Sequence, residues 1–228
     1  VQKAVPGLYS DISSVEIDTY LAETAAALTV EHPDYSYLAA RIKVNSLHKE
    51  TPGFIIATKN LYDDGLLREE YFKKVMENAD AIESIIDYDK DYTFDYFALT
   101  TLIRAYLLKF DNRTIERPQD LWMRVTLTVT GNEFNLDKIK ETYKSLSSGM
   151  YTHATPTLFN SGLKMQQLSS CFLIGMEDDS IEGIFNTIKD CALISKTAGG
   201  IGMHAHNIRG SGSRIKSTNG KSNGLIPF

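Results

Sequence analysis

The sequence predicts a mainly α-helical first part that leads into a parallel α/β layer. Three observations carry this. Apolar residues recur at helical spacing through residues 1 to about 150. After Gly149, an apolar run of strand length, a capped helix and a second apolar run follow in order. The last two are joined by a Gly-rich turn, Thr197-Ala198-Gly199-Gly200-Ile201-Gly202.

The elements follow in chain order. Tyr35, Leu38, Ala39 and Ile42 fall at i, i+3, i+4 and i+7, one face of a helix. Phe94, Phe97, Ala98, Thr101, Ala105 and Leu108 continue such a stripe over four turns. Pro118 marks a helix start ahead of Leu121 and Val125. Leu136, Ile139, Tyr143 and Leu146 make the next stripe, with Asn135 as its N-cap and Gly149 as its stop. Residues 166–176 read as a buried strand and 179–196 as a helix. In that helix Asp179 is the cap, Glu182 completes a capping box, and Ile181, Ile184, Phe185, Ile188 and Ala192 form the apolar stripe. Residues 200–208 read as a second strand. Gly210-Ser211-Gly212-Ser213 and Ser217-Thr218-Asn219-Gly220 read as a long mobile loop. There is no repeat period and no low-complexity segment.

The totals exclude several classes. The chain has 228 residues, 43% hydrophobic and 23% charged, which is enough for a real core. Its net charge of −5 offers no field for nucleic acid. No apolar run approaches the ~20 residues of a membrane helix, and no signal peptide is visible. The two cysteines, Cys171 and Cys191, are not a disulfide framework and fit a reducing compartment. The chain opens at Val1 without Met and stops at Phe228 as a new apolar segment begins, so it reads as an internal piece of a longer polypeptide.

Few residues carry candidate chemistry. Cys171, beside Ser170, reads either as a small buried hydrophobe or as a redox thiol on a strand. Asp179-Ser180-Ile181 reads as a plain helix cap or as a helix start that binds a sugar hydroxyl or phosphate. Lys196, Arg209 and Lys216 are solvated cations or a convergence on a phosphate chain. Neither a Walker A sequence nor a G-x-G-x-x-G fingerprint is present. His204 and His206, two apart on a predicted strand, face one side without an apparent third metal ligand. Cys191 reads as core packing.

Several segments together resemble the large catalytic subunit of class I ribonucleotide reductase, of eukaryotic type. They are residues 152–160 (THATPTLFN), 167–173 (QLSSCFL), 178–184 (DDSIEGI), 195–202 (SKTAGGIG) and 218–220 (TNG). Upstream, residues 40–49 and Glu116-Arg117-Pro118-Gln119 resemble that family's helical domain. The resemblance implies the tail of an ATP-cone at 1–18, a helical domain at 19–150, and the start of a ten-stranded α/β barrel at 151–228. It implies radical-dependent reduction of ribonucleoside diphosphates to deoxyribonucleotides in the cytoplasm, with no covalently bound cofactor and no metal in this part. Nucleic acid and membrane are not among the implied partners.

The same resemblance implies roles. Cys171 matches a barrel cysteine that supplies reducing equivalents and ends each turnover in a disulfide with a second barrel cysteine. Thr155 and Ser170 match substrate contacts. Asp179, Ser180, Ile181, Lys196, Arg209, Lys216 and Ser217 match the site where dNTP effectors select the substrate, at a homodimer interface. Ser14 and Asp18 match a remnant of the overall-activity site, which reads ATP against dATP. The implied partners are a di-iron small subunit that supplies the radical, and thioredoxin or glutaredoxin as reductant. The family's thiyl-radical cysteine, in an Asn-x-Cys-x-Glu strand, does not occur in the 228 residues, so this piece alone is expected to be inactive. The family often has small residues where this chain has Lys216-Ser217, and His204-Ala205-His206-Asn207 is unusual at its position. A cobalamin-dependent reductase and a non-catalytic nucleotide-sensing module are the alternative readings.

Overall fold

The computed structural model describes residues 3–216 and 218–227. Two compact units form, residues 1–153 with 161–166, and residues 154–160 with 167–228.

The first unit is helical. Ser13 caps α1 (Ser14–Ala27) with a capping box: its Oγ accepts from Glu16 N at 3.3 Å, and the Glu16 carboxylate accepts from Ser13 N at 2.9 Å. The domain boundary expected at 18/19 falls inside this helix. α1 packs on α2 (Asp34–Glu50), with Ala22 and Ala25 buried on one and Ala39, Ala40 and Val44 on the other. The stripe expected on α2 is rotated, since Leu38 is 47% exposed while Ala40 is fully buried. Small side chains let the helices approach, and alanines carry little weight in a hydropathy pattern.

α3 (Phe54–Asp63), α4 (Glu69–Glu77) and α5 (Ala79–Glu83) follow. α6 (Tyr96–Thr101) is capped by Asp95, whose carboxylate accepts from Ala98 N at 2.7 Å. The four-turn stripe expected over 94–108 does not form. α6 passes into one π-helical turn, Leu102–Tyr106, and Phe97 is left 80% exposed. Leu99, with Tyr96 and Ile103 beside it, packs against Ala40 and Val44 of α2 instead, which turns Phe97 outward ahead of the π-helical turn. A hairpin within the predicted helical part pairs β1 (Lys109–Phe110) with β2 (Arg113–Thr114). Its turn residues, Asp111 and Asn112, both have positive φ, as a two-residue hairpin turn demands.

α7 (Pro118–Val129) starts at Pro118 as expected, and every residue from Pro118 to Leu127 is buried. α8 (Leu136–Ser147) packs against it through Ile139, Tyr143 and Leu146. Asn135 caps α8 by accepting from Lys138 N at 3.0 Å. Gly149, at φ +70°, ends it: Gly149 N bonds Leu146 O at 3.0 Å and Met150 N bonds Ser145 O at 3.1 Å, a Schellman motif.

Charged groups are buried around α7. Glu116 grips the Arg124 guanidinium at 2.5 and 3.1 Å, and Arg124 Nη1 donates to Ser161 O at 2.8 Å. Asp120 accepts from Tyr88 OH at 2.7 Å and from Arg117 N at 2.8 Å. Asp91 accepts from His48 at 2.7 Å, and burial raises its carboxyl above the usual range against that partner's pull. Burial pushes Asp120 up to about 8 despite its two donors. Lys74, itself buried, ties down the end of α7 by donating to Leu127 O at 2.8 Å and Gly131 O at 2.6 Å.

The second unit begins with α9 (Thr155–Asn160). It then forms a strand–helix–strand unit from β3 (Cys171–Gly175), α10 (Ile181–Lys196) and β4 (Gly200–His204). β3 and β4 are parallel, with Cys171 opposite Gly200 and Gly175 opposite His204. Both strands are shorter than expected. Before β3, the carbonyls of Gln167 and Leu168 accept from the Asn160 and Thr157 side chains at 2.8 and 3.1 Å instead of pairing in a ladder. After β4, Asn207 turns the chain back by donating to Met176 O at 2.8 Å. His206 therefore lies beyond the strand that was expected to carry it.

The expected cap of α10 is corrected by one residue. Ser180, not Asp179, is the N-cap, and its Oγ accepts from Gly183 N at 3.0 Å. The expected stripe is also turned. Ile184 and Thr187 are buried, while Ile181, Phe185 and Ile188 are 69%, 60% and 47% exposed. Cys191 is partly exposed rather than core. β3 is likewise not buried: Cys171 is exposed and Leu173 is 93% exposed. A parallel strand becomes buried only when both faces are covered, and α10 covers one.

Two outcomes follow for the helical unit. Glu116→Gln leaves Arg124 buried without its counter-charge and lowers the unfolding free energy by about 3 kcal/mol in urea titrations. Asp120 binds a proton in the folded state up to about pH 8 but in the unfolded chain only to ~3.9. Its contribution is therefore fully present below that lower value and lost as pH rises through 8. The stability of wild type relative to Asp120→Asn should fall between pH 5 and 8, and a flat difference would contradict the assignment.

Candidate functional site

The geometry around Cys171 starts from strand alternation. Phe172 and Ile174 are half-buried on the α10 side: a Cβ at Gly199 would lie 2.6 Å from Ile194 and 2.9 Å from Phe172. Cys171 and Leu173 therefore project from the opposite face. Their partners across the ladder are Gly200 and Gly202, so no neighbouring side chain covers the thiol. A Cβ at Gly200 would stand 3.8 Å from the Cys171 sulfur. Ser170 O accepts from Gly200 N at 2.7 Å, which fixes the residue before the thiol. Thr155 opens α9, which Thr157 and Asn160 hold against residues 167–168.

The second site lies at the end of the crossover. Arg209 reaches back to Asp179 three times: its N and Nε donate to Asp179 Oδ2 at 3.2 and 2.5 Å, and Nη2 donates to Asp179 O at 2.8 Å. That clamp shapes a cavity of about 1000 Å³. Asp179, Ser180, Ile181, Arg209 and Lys216 all line it, with Ile184, Ile208 and Ile215 as apolar walls. The loop beyond is not loose. Ile215 N bonds Gly220 O and Ser222 N bonds Ser213 O, both at 2.8 Å, and Arg214 bridges Lys221 as an antiparallel pair.

Not every expected residue converges. Lys196 ends α10, about 22 Å along the helix from its start. Ser217 lies outside the described residues. Ser14 and Asp18 share a face of α1 at i and i+4, where Asp18 accepts from Lys49 Nζ at 3.0 Å. His204 and His206 meet with their Nδ1 atoms 2.6 Å apart, which requires one to donate and the other to accept. Among the described residues, no group of three His, Cys, Asp or Glu is placed to hold a metal ion, and no helix is long and apolar enough to cross a membrane. Arg214 and Lys221 also line the cavity, and sequence reasoning missed both. Their signal was the alternation of cations through Arg209, Arg214, Lys216 and Lys221 in one Gly/Ser-rich loop.

The fold and the two sites define a protein with a mainly helical part and the opening of a parallel α/β barrel that carries a thiol on β3, the first of its parallel strands. Residues 92–166 match the family model for the ribonucleotide reductase all-alpha domain, and residues 169–228 match that for its barrel domain. Over its whole length the chain is 48% identical to the ribonucleoside-diphosphate reductase large chain 2 of Saccharomyces cerevisiae, covering 27% of that protein. It is 46% identical to the large chain of Schizosaccharomyces pombe and 46% to the large subunit of Arabidopsis thaliana, covering 29% of each. The chain belongs to the ribonucleotide reductase large-subunit family. It spans less than a third of the length of these relatives.

The capping geometry has a direct check. Ser180→Ala removes the acceptor for Gly183 N, a loss of about 1 kcal/mol. Amide exchange in the first turn of α10 should quicken about five-fold. Asp179→Ala should leave that turn protected and instead expose the Arg209 amide.

Proposed function

We propose that this chain is the part of a ribonucleoside-diphosphate reductase large subunit that joins the helical domain to the first strands of the catalytic barrel. The observation that carries the reading is the exposed Cys171 on the strand face opposite α10. In an α/β barrel the helices coat the outside, so that face is the barrel interior, the side on which the family resemblance places the substrate.

The chemistry asks for such a thiol. Replacing the ribose 2′-hydroxyl by hydrogen releases water and consumes two electrons. A dithiol going to a disulfide supplies two electrons and two protons. Cys171 is one of the two thiols, and its partner and the radical cysteine come from sequence outside the 228 residues, which hold only Cys171 and Cys191. Thr155 and Ser170 contact the nucleoside diphosphate. The radical comes from a di-iron small subunit, and thioredoxin or glutaredoxin resets the disulfide. The enzyme works in the cytoplasm.

The cavity bounded by Asp179, Ser180, Ile181, Arg209 and Lys216 takes the dNTP effector, a role the family resemblance also gives to Ser217. Lys196 reaches it from a second copy. Pairing two α10 helices antiparallel brings the Lys196 end of one to the Ser180 end of the other. It also buries the exposed Ile181, Phe185 and Ile188 stripe, so the homodimer accounts for both the distant lysine and the bare apolar face. Ser14 and Asp18 belong to the end of the activity-sensing segment.

Cys171→Ser in the full subunit should abolish turnover with a dithiol reductant while dNTP binding stays within two-fold of wild type. Loss of effector binding in that variant, or sustained turnover, would contradict the assignment. Asp179→Asn should weaken dNTP-directed substrate choice about ten-fold with the fold intact by circular dichroism.

A further inference from the structure

The parallel pair has two chain entries, one into β3 and one into β4, and a single side chain holds both. Gly200 N donates to Ser170 O at 2.7 Å, the bond that opens the ladder. Three residues ahead of each partner lies a carbonyl, at Gln167 and at Thr197. Asn160 Nδ2 donates to Gln167 O at 2.8 Å and to Thr197 O at 3.1 Å. A primary amide carries two N–H donors, and both are committed here.

Other bonds stiffen the same corner. Thr157 Oγ1 donates to Leu168 O at 3.1 Å. The Gln167 side chain clasps Ser169, accepting from its N and donating to its O at 3.0 Å. Thr197 N bonds Ile194 O at 3.1 Å, so the second carbonyl belongs to the residue that ends α10. Asn160 is the last residue of α9 and Thr155 is the first, about 8 Å apart along the helix axis. All these residues belong to the second unit. The entry to β3, the entry to β4 and the helix that carries Thr155 are thus tied to one amide.

We propose that Asn160 is a positioning residue for the reduction: its amide fixes Thr155 against the Ser170–Cys171 strand start, and so sets where the nucleotide lies relative to the thiol. The inference rests on the reductase reading for what Thr155, Ser170 and Cys171 do, and adds what holds them in place. Asn160 acts through the two carbonyls, since both its donors are committed to them. Reacting groups tolerate little error, and a misplacement of about 1 Å costs on the order of 100-fold in rate. Without the amide each substrate contact survives, and its distance to the thiol changes. The loss therefore reads out in kcat, with KM little altered.

The experiment compares the full subunit that carries this chain, with its small subunit, as wild type, Asn160→Asp, Asn160→Ser and Asn135→Ala. Asp keeps the volume of Asn but turns an oxygen toward both carbonyls, and Ser keeps one donor. Asn135→Ala removes the cap of α8 in the helical unit and controls for lost stability by itself. Two readouts are taken well below the unfolding temperature: kcat and KM for a nucleoside diphosphate at saturating effector, and amide exchange of the peptide that contains Gly200. Asn160→Asp should lose at least ten-fold in kcat with KM within three-fold, and exchange at Gly200 should quicken at least ten-fold. Asn160→Ser should fall between it and wild type on both, and carries the test alone if Asn160→Asp is unfolded by circular dichroism. Asn135→Ala should match wild type on both. Unchanged exchange at Gly200, or quickened exchange with unchanged kcat, overturns the proposal and leaves the reductase reading standing. A kcat loss that Asn135→Ala shares overturns it as well, as a general loss of fold. A wild-type subunit that never turns over, although exchange at Gly200 responds to Asn160 as expected, sinks the reductase reading and the positioning role with it.

Discussion

Parallel pairing of Cys171–Gly175 with Gly200–His204 constrains the whole of the second unit. Parallel neighbours cannot be joined by a tight turn, so the chain must leave the end of β3 and return to the start of β4 by a crossover. α10 is that crossover. Its sixteen residues are close to the length needed to run back along the strands. Once α10 lies on the Phe172 and Ile174 face, the thiol has only the other face left. The start of α10 and the loop after β4 also fall at the same end of the strands. That is the end at which open parallel sheets bind ligands, and the Asp179–Arg209 clamp closes there.

The helical unit answers to a different constraint. α7 is buried along ten consecutive residues, so its polar side chains have no access to water. The charged ones find partners, and so does one end of Gln119: Arg124 takes Glu116, Asp120 takes Tyr88 and the Arg117 amide, and Gln119 Oε1 takes Tyr143 at 2.7 Å, while Trp122 Nε1 and Thr126 Oγ1 are buried without a hydrogen-bond partner among the described residues. Such pairs add little net stability over apolar side chains of the same volume. Breaking one is costly, because the survivor stays buried. They make the packing around α7 specific, since a helix turned by one position would strand several of these groups at once.

In the proposed enzyme the two sites of the second unit share one scaffold. The thiol sits at the first rung of the ladder and the Asp179–Arg209 cavity at its last. The strands between them are five residues, roughly 17 Å. Glycines at 200 and 202 keep the thiol face open, and cations at 209, 214, 216 and 221 keep the cavity positive. The thiol and the cationic cavity thus stand at opposite ends of one strand pair.

The sequence by itself determined what depends on neighbours in the chain. Asn135, Pro118 and Gly149 act within one turn of their own position, and each marks a helix end as its residue type demands. The strand, helix, strand order after Gly149 was legible for the same reason, as was the resemblance carried by motifs such as residues 178–184. Tertiary structure decided what depends on partners far along the chain. Asp179 and Ser180 are both good caps, and only Arg209, thirty residues on, takes Asp179 out of that role. The buried face of α2 follows from α1, which a hydropathy stripe does not see. The four cations of the cavity are ordinary loop residues in the sequence. They line one cavity because the Arg214–Lys221 bridge and the Ile215–Gly220 turn gather three of them and Asp179 holds the fourth, Arg209, and charge acts through space rather than along the chain.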